Sequence, residues 1–442
     1  MTSLFDPLAA EGLTTLHVRH DWRSGRTTAT AACEWDPDAD FARYRRDFDH
    51  ETRLTTRPAV LDAEATAALY AAHGAADALA ELTQLLTAGR HQGVDLWLHA
   101  ARGIRFISNM HSNVLGIANG RHAIRAGGIR RHEPHEPEYE VLVDGLNLAR
   151  AMSYKNAAAQ IPYGGSKVCV VSEPVALDDL EALGFLAWCL DRARCFTGPD
   201  MGFTPEHADV LRAHFTRNIV GGPGGALGPT GAPTARGVLC ALREAVRHQL
   251  GREGLRGVSV AVQGLGAVGG PLARGLLEAG CRLVVAERDE ARLDGFLRDG
   301  RTGVEVVEPD AVLFEQVDVV SPNALGGVLG AGEIERLRCR IVMGAANNQL
   351  VAVSREEELA LAERLAARGV LYQVDWMHNT AGVIAGCEEW EQQEAASAER
   401  VERQLSRVCG AGVRANLEAA TRTGKTPTAM AYAGIEARLY PS

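Results

Sequence analysis

The sequence predicts an α/β protein of two domains. Two observations carry this prediction: a strand–glycine loop–helix–strand pattern over residues 257–287, and a glycine- and proline-rich stretch at 221–233 that precedes it. The length of 442 residues also exceeds one ordinary domain and allows more than one buried core. We therefore expect an N-terminal α/β domain followed by a Rossmann-type domain.

The glycine loop defines the second domain. Residues 257–263 form a predicted buried strand, an apolar helix follows the loop, and a second strand at 282–286 leads to Glu287. In a dinucleotide-binding fold the first glycine makes a tight turn, the second admits the pyrophosphate, and the third lets the helix pack on the strand. The glycine spacing alone is weak in a chain with 47 glycines, but the strands, helix and acid around it make it specific. The alternative is a structural turn that binds nothing. The residues expected to bind a nicotinamide dinucleotide here are Gly264, Gly266, Ala267, Val268, Gly269, Glu287 and Arg288.

The end of the second strand bears on the choice between NAD and NADP. Glu287 fits an acceptor for the ribose hydroxyls, which favours NAD. Arg288 beside it could instead receive the 2′-phosphate of NADP. We expect NAD and keep NADP as the less favoured alternative.

The stretch at 221–233 indicates a domain junction. Its six glycines and three prolines argue against a helix or a central strand. We expect the first domain at residues 1–225 and the Rossmann domain at 226–385. Predicted helices at 386–442 either complete the second domain or pack back on the first.

Composition narrows the compartment and the partners. A net charge of −10 without a basic patch argues against nucleic acid as a partner. The N-terminus lacks a signal-peptide pattern, and no run reaches the roughly 18 apolar residues of a membrane span. Nine cysteines without a Cys-x-x-Cys pair favour free thiols in a reducing compartment. We expect a soluble cytoplasmic protein with no membrane partner.

Lysine is rare in this chain. Of 46 basic residues only Lys155, Lys167 and Lys425 are lysines, and the first two lie twelve residues apart in one segment. Arginine stays protonated, whereas a lysine in a dry, cation-rich pocket can lose its proton and act as a base. The two lysines indicate positions where an amine is required; the alternative is chance placement.

These features come with a series of motifs that resembles the glutamate, leucine, phenylalanine and valine dehydrogenase family, in particular its leucine, phenylalanine and valine branch. The resemblance runs in order over about residues 125–390. The segments that carry it are 127–130 (GGIR), 151–159 (AMSYKNAAA), 164–167 (GGSK), 197–202 (TGPDMG), 233–238 (PTARGV), the glycine loop, 322–328 (PNALGGV), 344–350 (GAANNQL) and 375–383 (DWMHNTAGV).

The resemblance implies a substrate domain and a Rossmann domain with the active-site cleft between them. It implies that Lys155 holds the substrate carboxylate, Lys167 activates water and Asp200 is the general acid/base. Two lysines in one site should have separated pKa values. The further substrate-binding residues it implies are Gly128, Met152, Asn348, Ala126, Val383 and Gly386. The further cofactor-binding residues it implies are Thr234, Asn323, Ala324 and Asn347.

Three features depart from the family pattern or stand outside it. Ser166, Asn323 and the pair Thr380-Ala381 stand where the family has other residues, which affects substrate shape rather than the acid/base set. Residues 35–120 delay the 127–130 motif and are interpreted as an insertion, helical around 63–88, for which an oligomer contact or a lid is a possible role. Residues 130–138 resemble a metal cluster, but their two prolines favour a polar loop, and we expect no metal.

The expected function is NAD-dependent oxidative deamination of an L-amino acid, with a bulky aliphatic or aromatic side chain, by a homo-oligomer. One alternative is a cyclodeaminase or imine reductase acting on an unusual amino acid at the same site. The other is a catalytically silent protein that senses an amino acid or a dinucleotide.

Overall fold

The computed structural model describes residues 3–45, 55, 59–121, 123–298, 303–352 and 354–441. The chain forms two compact units. The first contains residues 1–156, 161–229 and 389–396, and the second contains 157–160, 230–388 and 397–442.

The strands alternate in sequence with most of the helices. The strands are β1 (Thr15–Asp21), β2 (Arg26–Cys33), β3 (Ala59–Leu61), β4 (Gly93–His99), β5 (Ile104–Ser112), β6 (Arg125–His132), β7 (Gly164–Val171), β8 (Cys195–Pro199), β9 (Ser259–Gln263), β10 (Arg282–Ala286), β11 (Val304–Val306), β12 (Val319–Pro322), β13 (Ile341–Val342) and β14 (Leu371–Tyr372).

The helices range from one turn to more than five. The α-helices are α1 (Asp6–Ala10), α2 (Ala63–Ala72), α3 (Ala76–Gly89), α4 (Val114–Ala118), α5 (Glu138–Ala158), α6 (Leu180–Ala193), α7 (Pro205–His214), α8 (Gly231–Leu250), α9 (Gly269–Glu278), α10 (Glu290–Leu297), α11 (Ala331–Arg336), α12 (Arg355–Ala367), α13 (Ala381–Gln392), α14 (Ala398–Leu405), α15 (Val413–Thr423) and α16 (Pro427–Leu439). A π-helical stretch at Ser406–Gly412 joins α14 to α15.

The first unit is a mixed sheet covered on both faces. Within the described residues it has eight strands in the order β3-β2-β1-β4-β5-β7-β6-β8, and β6 is parallel to both β7 and β8. Side chains alternate between the faces of a strand. On β7, Val168 and Val170 join a core with α6, whereas Cys169 and Val171 join a second core with α5 and α3. Strand β7, next to β6 in the sheet, is thereby held by packing on both faces.

The second unit is a parallel sheet in the order β11-β10-β9-β12-β13-β14, counted over the described chain. This is the strand order of a dinucleotide-binding Rossmann sheet. Val260 and Val262 of β9 are buried in one core, and Ala261 between them is buried in the core on the other face. Burial of both faces explains why β9 reads as a continuous apolar run. The predicted α/β fold with a Rossmann sheet is confirmed.

The structure corrects two details of the predicted boundaries. Residues 231–233 begin α8, although they belong to the glycine- and proline-rich stretch; proline is tolerated there because the first turn of a helix needs no backbone donor. Strands β4 and β5, inside the proposed insertion at 35–120, pair with β1 and β7 in the middle of the sheet. The proposed insertion therefore contains two central strands of the sheet. Residues 46–54 and 56–58 of that range lie outside the described residues.

Two further sequence expectations concern membranes and cysteines. Among the described residues, no helix is both long enough and apolar enough to cross a bilayer. All nine cysteines lie in described parts of the chain, and each is a free thiol.

Candidate functional site

Three residues of the implied catalytic set meet in the first unit. Gly128 of β6 pairs with Gly198 of the neighbouring strand β8, and Asp200 follows the end of β8. Lys167 on β7 reaches the same point from the other side of β6, and its Nζ contacts Oδ2 of Asp200 directly. A Cβ on Gly128 would lie 2.9 Å from that Nζ, so a larger residue would displace the end of the Lys167 side chain. The register of three strands therefore assembles this site.

Asp200 is kept ionised by its surroundings. Burial acts to raise its pKa, but the charges of Lys167 and Arg130 hold the pKa of this carboxyl well below its usual range. The Lys167 side chain is only 7% exposed, and that of Asp200 is 30% exposed. An almost dry amine facing a half-accessible carboxylate is an arrangement that can pass a proton to a bound molecule.

Arg130 is the residue that the sequence prediction missed. Its guanidinium lies 3.1 Å from Oδ2 of Asp200 and 3.0 Å from Oδ2 of Asp144 on α5. Asp200 is thus fixed between Lys167 and a cation that cannot lose its proton. The signal was available, because Arg130 closes the GGIR motif, but nothing in the sequence indicates which carboxylates it meets.

The sequence indicated a polar loop over residues 130–138, and the structure corrects this prediction in part. The first three of these residues end β6, and only residues 133–137 form a loop. His132 lies 3.5 Å from Asp144 and 2.8 Å from Glu136. Burial acts to lower its pKa, but Asp144, Cys169 and Glu136 raise it to about 10.

A group of side chains with metal-ligand atoms lies beside the ion pairs that Arg130 forms with Asp144 and Asp200. Ligand atoms of His132, Asp144 and Cys169 all lie within 4.8 Å of one another. The carboxylate of Asp144 is already bound by the permanently charged Arg130, which would repel a metal ion. We therefore interpret the group as part of the charged network that ends at Asp200.

The other implied substrate residues of the first unit lie on the neighbouring elements. Lys155 and Met152 are half-buried in the last two turns of α5. Ala126 of β6 is fully buried. Ala126 and Gly128 are two residues apart on one strand and therefore face the same side of the sheet.

The glycine loop of the second unit has the geometry that its chemistry requires. Gly264 has φ +86°, and a Cβ there would lie 3.0 Å from Cβ of Ala324. A Cβ on Gly269 would lie 2.0 Å from the carbonyl oxygen of Gly264, so only glycine permits this close approach of helix and strand. The Cβ position of Gly266 is open, with nothing within 4 Å. Ala267 and Val268 complete the turn into α9. The loop therefore fits a pyrophosphate at the open second glycine.

Glu287 is anchored at the end of β10. Its Oε2 accepts a hydrogen bond of 2.7 Å from the backbone N–H of Leu265, and its Oε1 lies 3.3 Å from a guanidinium nitrogen of Arg292. Burial acts to raise its pKa, but these partners lower it, so the group is ionised. Arg288 is largely exposed and lies 3.7 Å from Asp310. The negative charge of Glu287 is thus fixed beside the glycine loop, whereas the positive charge of Arg288 is exposed to solvent.

The loop after β13 carries Asn347 and Asn348, both exposed. Asn348 has φ +50°, a conformation that is uncommon outside glycine and found at functional positions. The carboxylate of Asp375, which is 1% exposed, accepts hydrogen bonds from the backbone N–H of Asn348 and the amide of Asn379. Asp375 thus fixes this loop, a role that the sequence did not reveal.

The remaining implied residues also lie in the second unit. The hydroxyl of Thr234 in α8 donates to the carbonyl of Thr230 at 2.8 Å. Asn323, after β12, donates to Ser321 and accepts from the backbone N–H of Ala345 at 2.9 Å. Val383 is half-buried and Gly386 buried, both in α13. The implied set is therefore divided between the units: Lys155, Lys167, Asp200, Gly128, Met152 and Ala126 lie in the first, and the others lie in the second.

A Rossmann unit with an intact dinucleotide loop, accompanied by an α/β unit in which a buried lysine contacts a half-exposed aspartate, is typical of dinucleotide-dependent dehydrogenases. The model of the Glu/Leu/Phe/Val dehydrogenase dimerisation domain matches residues 98–215. That match includes residues 98–120, which confirms that the proposed insertion was drawn too long.

Named relatives extend the match through most of the chain. A phenylalanine dehydrogenase of Bacillus thermotolerans is 36% identical over 65% of this chain and 73% of its own length. An L-tryptophan dehydrogenase of Nostoc punctiforme is 36% identical over 64% and 75%, and a leucine dehydrogenase of Thermoactinomyces intermedius is 33% identical over 65% and 75%. The chain therefore belongs to the Glu/Leu/Phe/Val dehydrogenase family and to its leucine, phenylalanine and valine branch. The membership confirms the predicted enzyme class, an amino acid dehydrogenase.

Solved structures agree with this assignment. The L-tryptophan dehydrogenase of Nostoc punctiforme has a TM-score of 0.64 at 30% identity, over 81% of this chain and 99% of that one. The hetero-hexameric glutamate dehydrogenase of Thermus thermophilus shares the fold, with a TM-score of 0.59 at 23% identity over 76% and 84%.

Proposed function

We propose that this protein catalyses the NAD-dependent oxidative deamination of a bulky aliphatic or aromatic L-amino acid to its 2-oxo acid and ammonia, and the reverse reductive amination. The observation that carries the proposal is the contact of Lys167 with the ionised Asp200 above Gly128. The named activities of the relatives support the reaction class.

The residues of the first unit supply the acid/base steps in this proposal. Lys155 binds the substrate carboxylate as a cation. Asp200 accepts a proton from the substrate ammonium, and Lys167 takes a proton from the water that adds to Cα after oxidation. Arg130 is a positioning residue, because it holds the Asp200 carboxylate without offering a proton of its own. Acceptance of the hydride from Cα is the chemistry that a bound nicotinamide dinucleotide would supply.

The residues of the second unit would hold that dinucleotide. The glycine loop would face the pyrophosphate, Glu287 the ribose hydroxyls, and Thr234, Asn323, Ala324 and Asn347 the nicotinamide end. Asn348 would hydrogen-bond the substrate. The fixed charge of Glu287 supports NAD over NADP, because it repels a 2′-phosphate.

The cofactor proposal predicts the effect of Glu287→Ala. We expect the ratio of kcat/KM with NAD to that with NADP to fall about tenfold, since both the ribose acceptor and the repulsion of the phosphate are lost. The matched control is Glu290→Ala, which removes an exposed carboxylate three residues away and should leave the ratio unchanged. A wild-type enzyme that prefers NADP, or an unchanged ratio in Glu287→Ala, would show that this strand end is misread.

The substrate proposal rests on the residues assigned to the side-chain pocket. Ala126, Met152, Val383 and Gly386 are uncharged, and two of them are small. Burying the second carboxylate of glutamate without a cation would cost several kcal/mol. The assignment therefore favours a large apolar side chain.

A panel of substrates tests this assignment. We expect kcat/KM to be higher for leucine or phenylalanine than for glutamate or alanine, followed through the absorbance of the reduced nicotinamide. Each amino acid is run with NAD and with NADP, and reactions without amino acid give the background. Glutamate or alanine as the best substrate would refute the pocket assignment and leave the dehydrogenase class standing.

The alternatives make different products. A cyclodeaminase or imine reductase would release a cyclic product or a secondary amine, and a sensor would bind without turnover. The relatives are named as dehydrogenases and do not favour either alternative. Detection of equal amounts of 2-oxo acid, ammonia and reduced dinucleotide would separate the three.

The proposed organisation follows the family. We propose a substrate domain at 1–225, a Rossmann domain at 226–385 and C-terminal helices at 386–442, in a homo-oligomer of the cytoplasm. The matched dimerisation domain and the name of the hetero-hexameric relative support an assembly. Its size follows from the molar mass in solution.

A further inference from the structure

A cavity of about 240 Å³ lies in the first unit, at the start of β6. Four arginines line it: Arg19, Arg125, Arg192 and Arg194. Its acidic lining residue is Asp95, so the cavity walls are strongly cationic in a chain whose net charge is −10. The cavity therefore attracts anions against the overall charge of the protein.

Arg125 is the buried cation of this cavity. It is 4% exposed, and burial lowers its pKa. Its terminal nitrogens donate to the carbonyl of Ala193 and, at 3.2 Å, to the side-chain oxygen of Asn113, while its Nε has no hydrogen-bond partner in the described structure. Both partners are neutral. A buried charge without a counter-charge is costly, and buried arginines are normally paired with an anion.

The nearby carboxylate, Asp95, does not contact Arg125 directly. Asp95 lies 2.6 Å from a guanidinium nitrogen of Arg19 and 2.6 Å from Nδ1 of His17. Both contacts are to Oδ1, and Asp95 acts on the charge of Arg125 only from a longer distance. It forms no ion pair with Arg125 within 4 Å among the described residues. Arg192 is likewise paired, with Glu34. Arg125 is thus a buried cation without a contacting carboxylate, and a second cation, Arg194, is exposed at the rim of the cavity.

We propose that this cavity binds a small oxyanion, a phosphate or a carboxylate, with Arg125 as its central ligand. A guanidinium offers paired N–H donors that match the oxygens of either group. The volume admits a small anion and excludes a dinucleotide. The site is distinct from the catalytic residues: Arg125 reaches the end of α6, whereas Arg130 of the same strand meets α5. These odd- and even-numbered positions face opposite sides of the sheet.

The experiment measures anion binding by the full-length protein with inorganic phosphate and, separately, with malonate. Potassium chloride at equal ionic strength corrects for screening. We expect a saturable rise of the melting temperature, about 5 °C at a hundredfold excess over Kd, with one of the two probes binding more tightly. The tighter probe identifies the anion as phosphate or carboxylate.

Two variants locate the binding. Arg125→Met removes the buried charge at similar length and should abolish the shift. Arg194→Gly suits the left-handed backbone at this position, φ +49°. Because the Arg194 side chain is exposed, the substitution should weaken anion binding about tenfold and leave the packing of the core unchanged. The matched control Arg26→Ala removes an exposed arginine of β2 and should bind like the wild type.

Three results would overturn the proposal. The first is a phosphate and malonate response no larger than that of chloride. The second is unchanged affinity in both Arg125→Met and Arg194→Gly. The third is loss of the oligomer in Arg125→Met without added anion, since the counter-charge would then be a carboxylate of a second copy of this chain. None of these outcomes depends on amino acid turnover, so the proposed dehydrogenase function is tested separately.

Discussion

Replacing Lys167 by arginine is expected to abolish turnover and to leave dinucleotide binding intact. A guanidinium keeps its proton at any accessible pH, so it cannot take a proton from water. Loss of one general acid/base group typically costs 10²–10⁴-fold, and we expect kcat to fall at least about 10³-fold, which leaves no turnover above the background of the assay. The measurement is kcat in steady state, together with NAD affinity by titration.

Lys425→Arg is the matched control for this experiment. It makes the same substitution at an exposed lysine of the second unit, and we expect wild-type kcat. If Lys167→Arg turned over like the wild type, the assignment of Lys167 as water activator would be wrong. If it lost NAD binding as well, the effect would be one of folding rather than of chemistry.

Replacing Lys155 by alanine is expected to weaken substrate binding and rate together. The substrate carboxylate loses its cationic partner, and hydrogen bonds to charged groups contribute about 1.5–3 kcal/mol, so kcat/KM should fall about 10²-fold. Alanine is a strong helix former, so α5 should be preserved. The readout is the separate change of KM and kcat for leucine and phenylalanine.

Lys155→Arg refines this prediction, because it keeps the positive charge and changes only its shape. We expect Lys155→Arg to recover part of the affinity for the amino acid and part of the activity. Lys167→Arg, by contrast, should stay inactive. An apparent KM that is unchanged in Lys155→Ala would contradict the role of this lysine as the carboxylate ligand.

The sequence by itself determined the Rossmann unit and the family. The glycine loop is local: Gly264, Gly266 and Gly269 lie within six residues, and their conformations follow from the turn between one strand and one helix. Val260 and Val262 bury one face of β9 and Ala261 the other, so the strand was recognisable without its partners. Ordered motifs along the chain then indicated the family, which the relatives confirm.

Only the tertiary structure decided how the charged residues are paired. Arg130 meets Asp200, 70 residues away in the chain, because β6 and β8 are parallel neighbours and Gly128 lies opposite Gly198. Asp375 holds the backbone of Asn348 over a separation of 27 residues. Sequence patterns report periodicity and local turns, whereas an ion pair depends on strand order and register across a sheet. For the same reason the extent of the insertion was misjudged: β4 and β5 are recognised as parts of the sheet only by their pairing with β1 and β7.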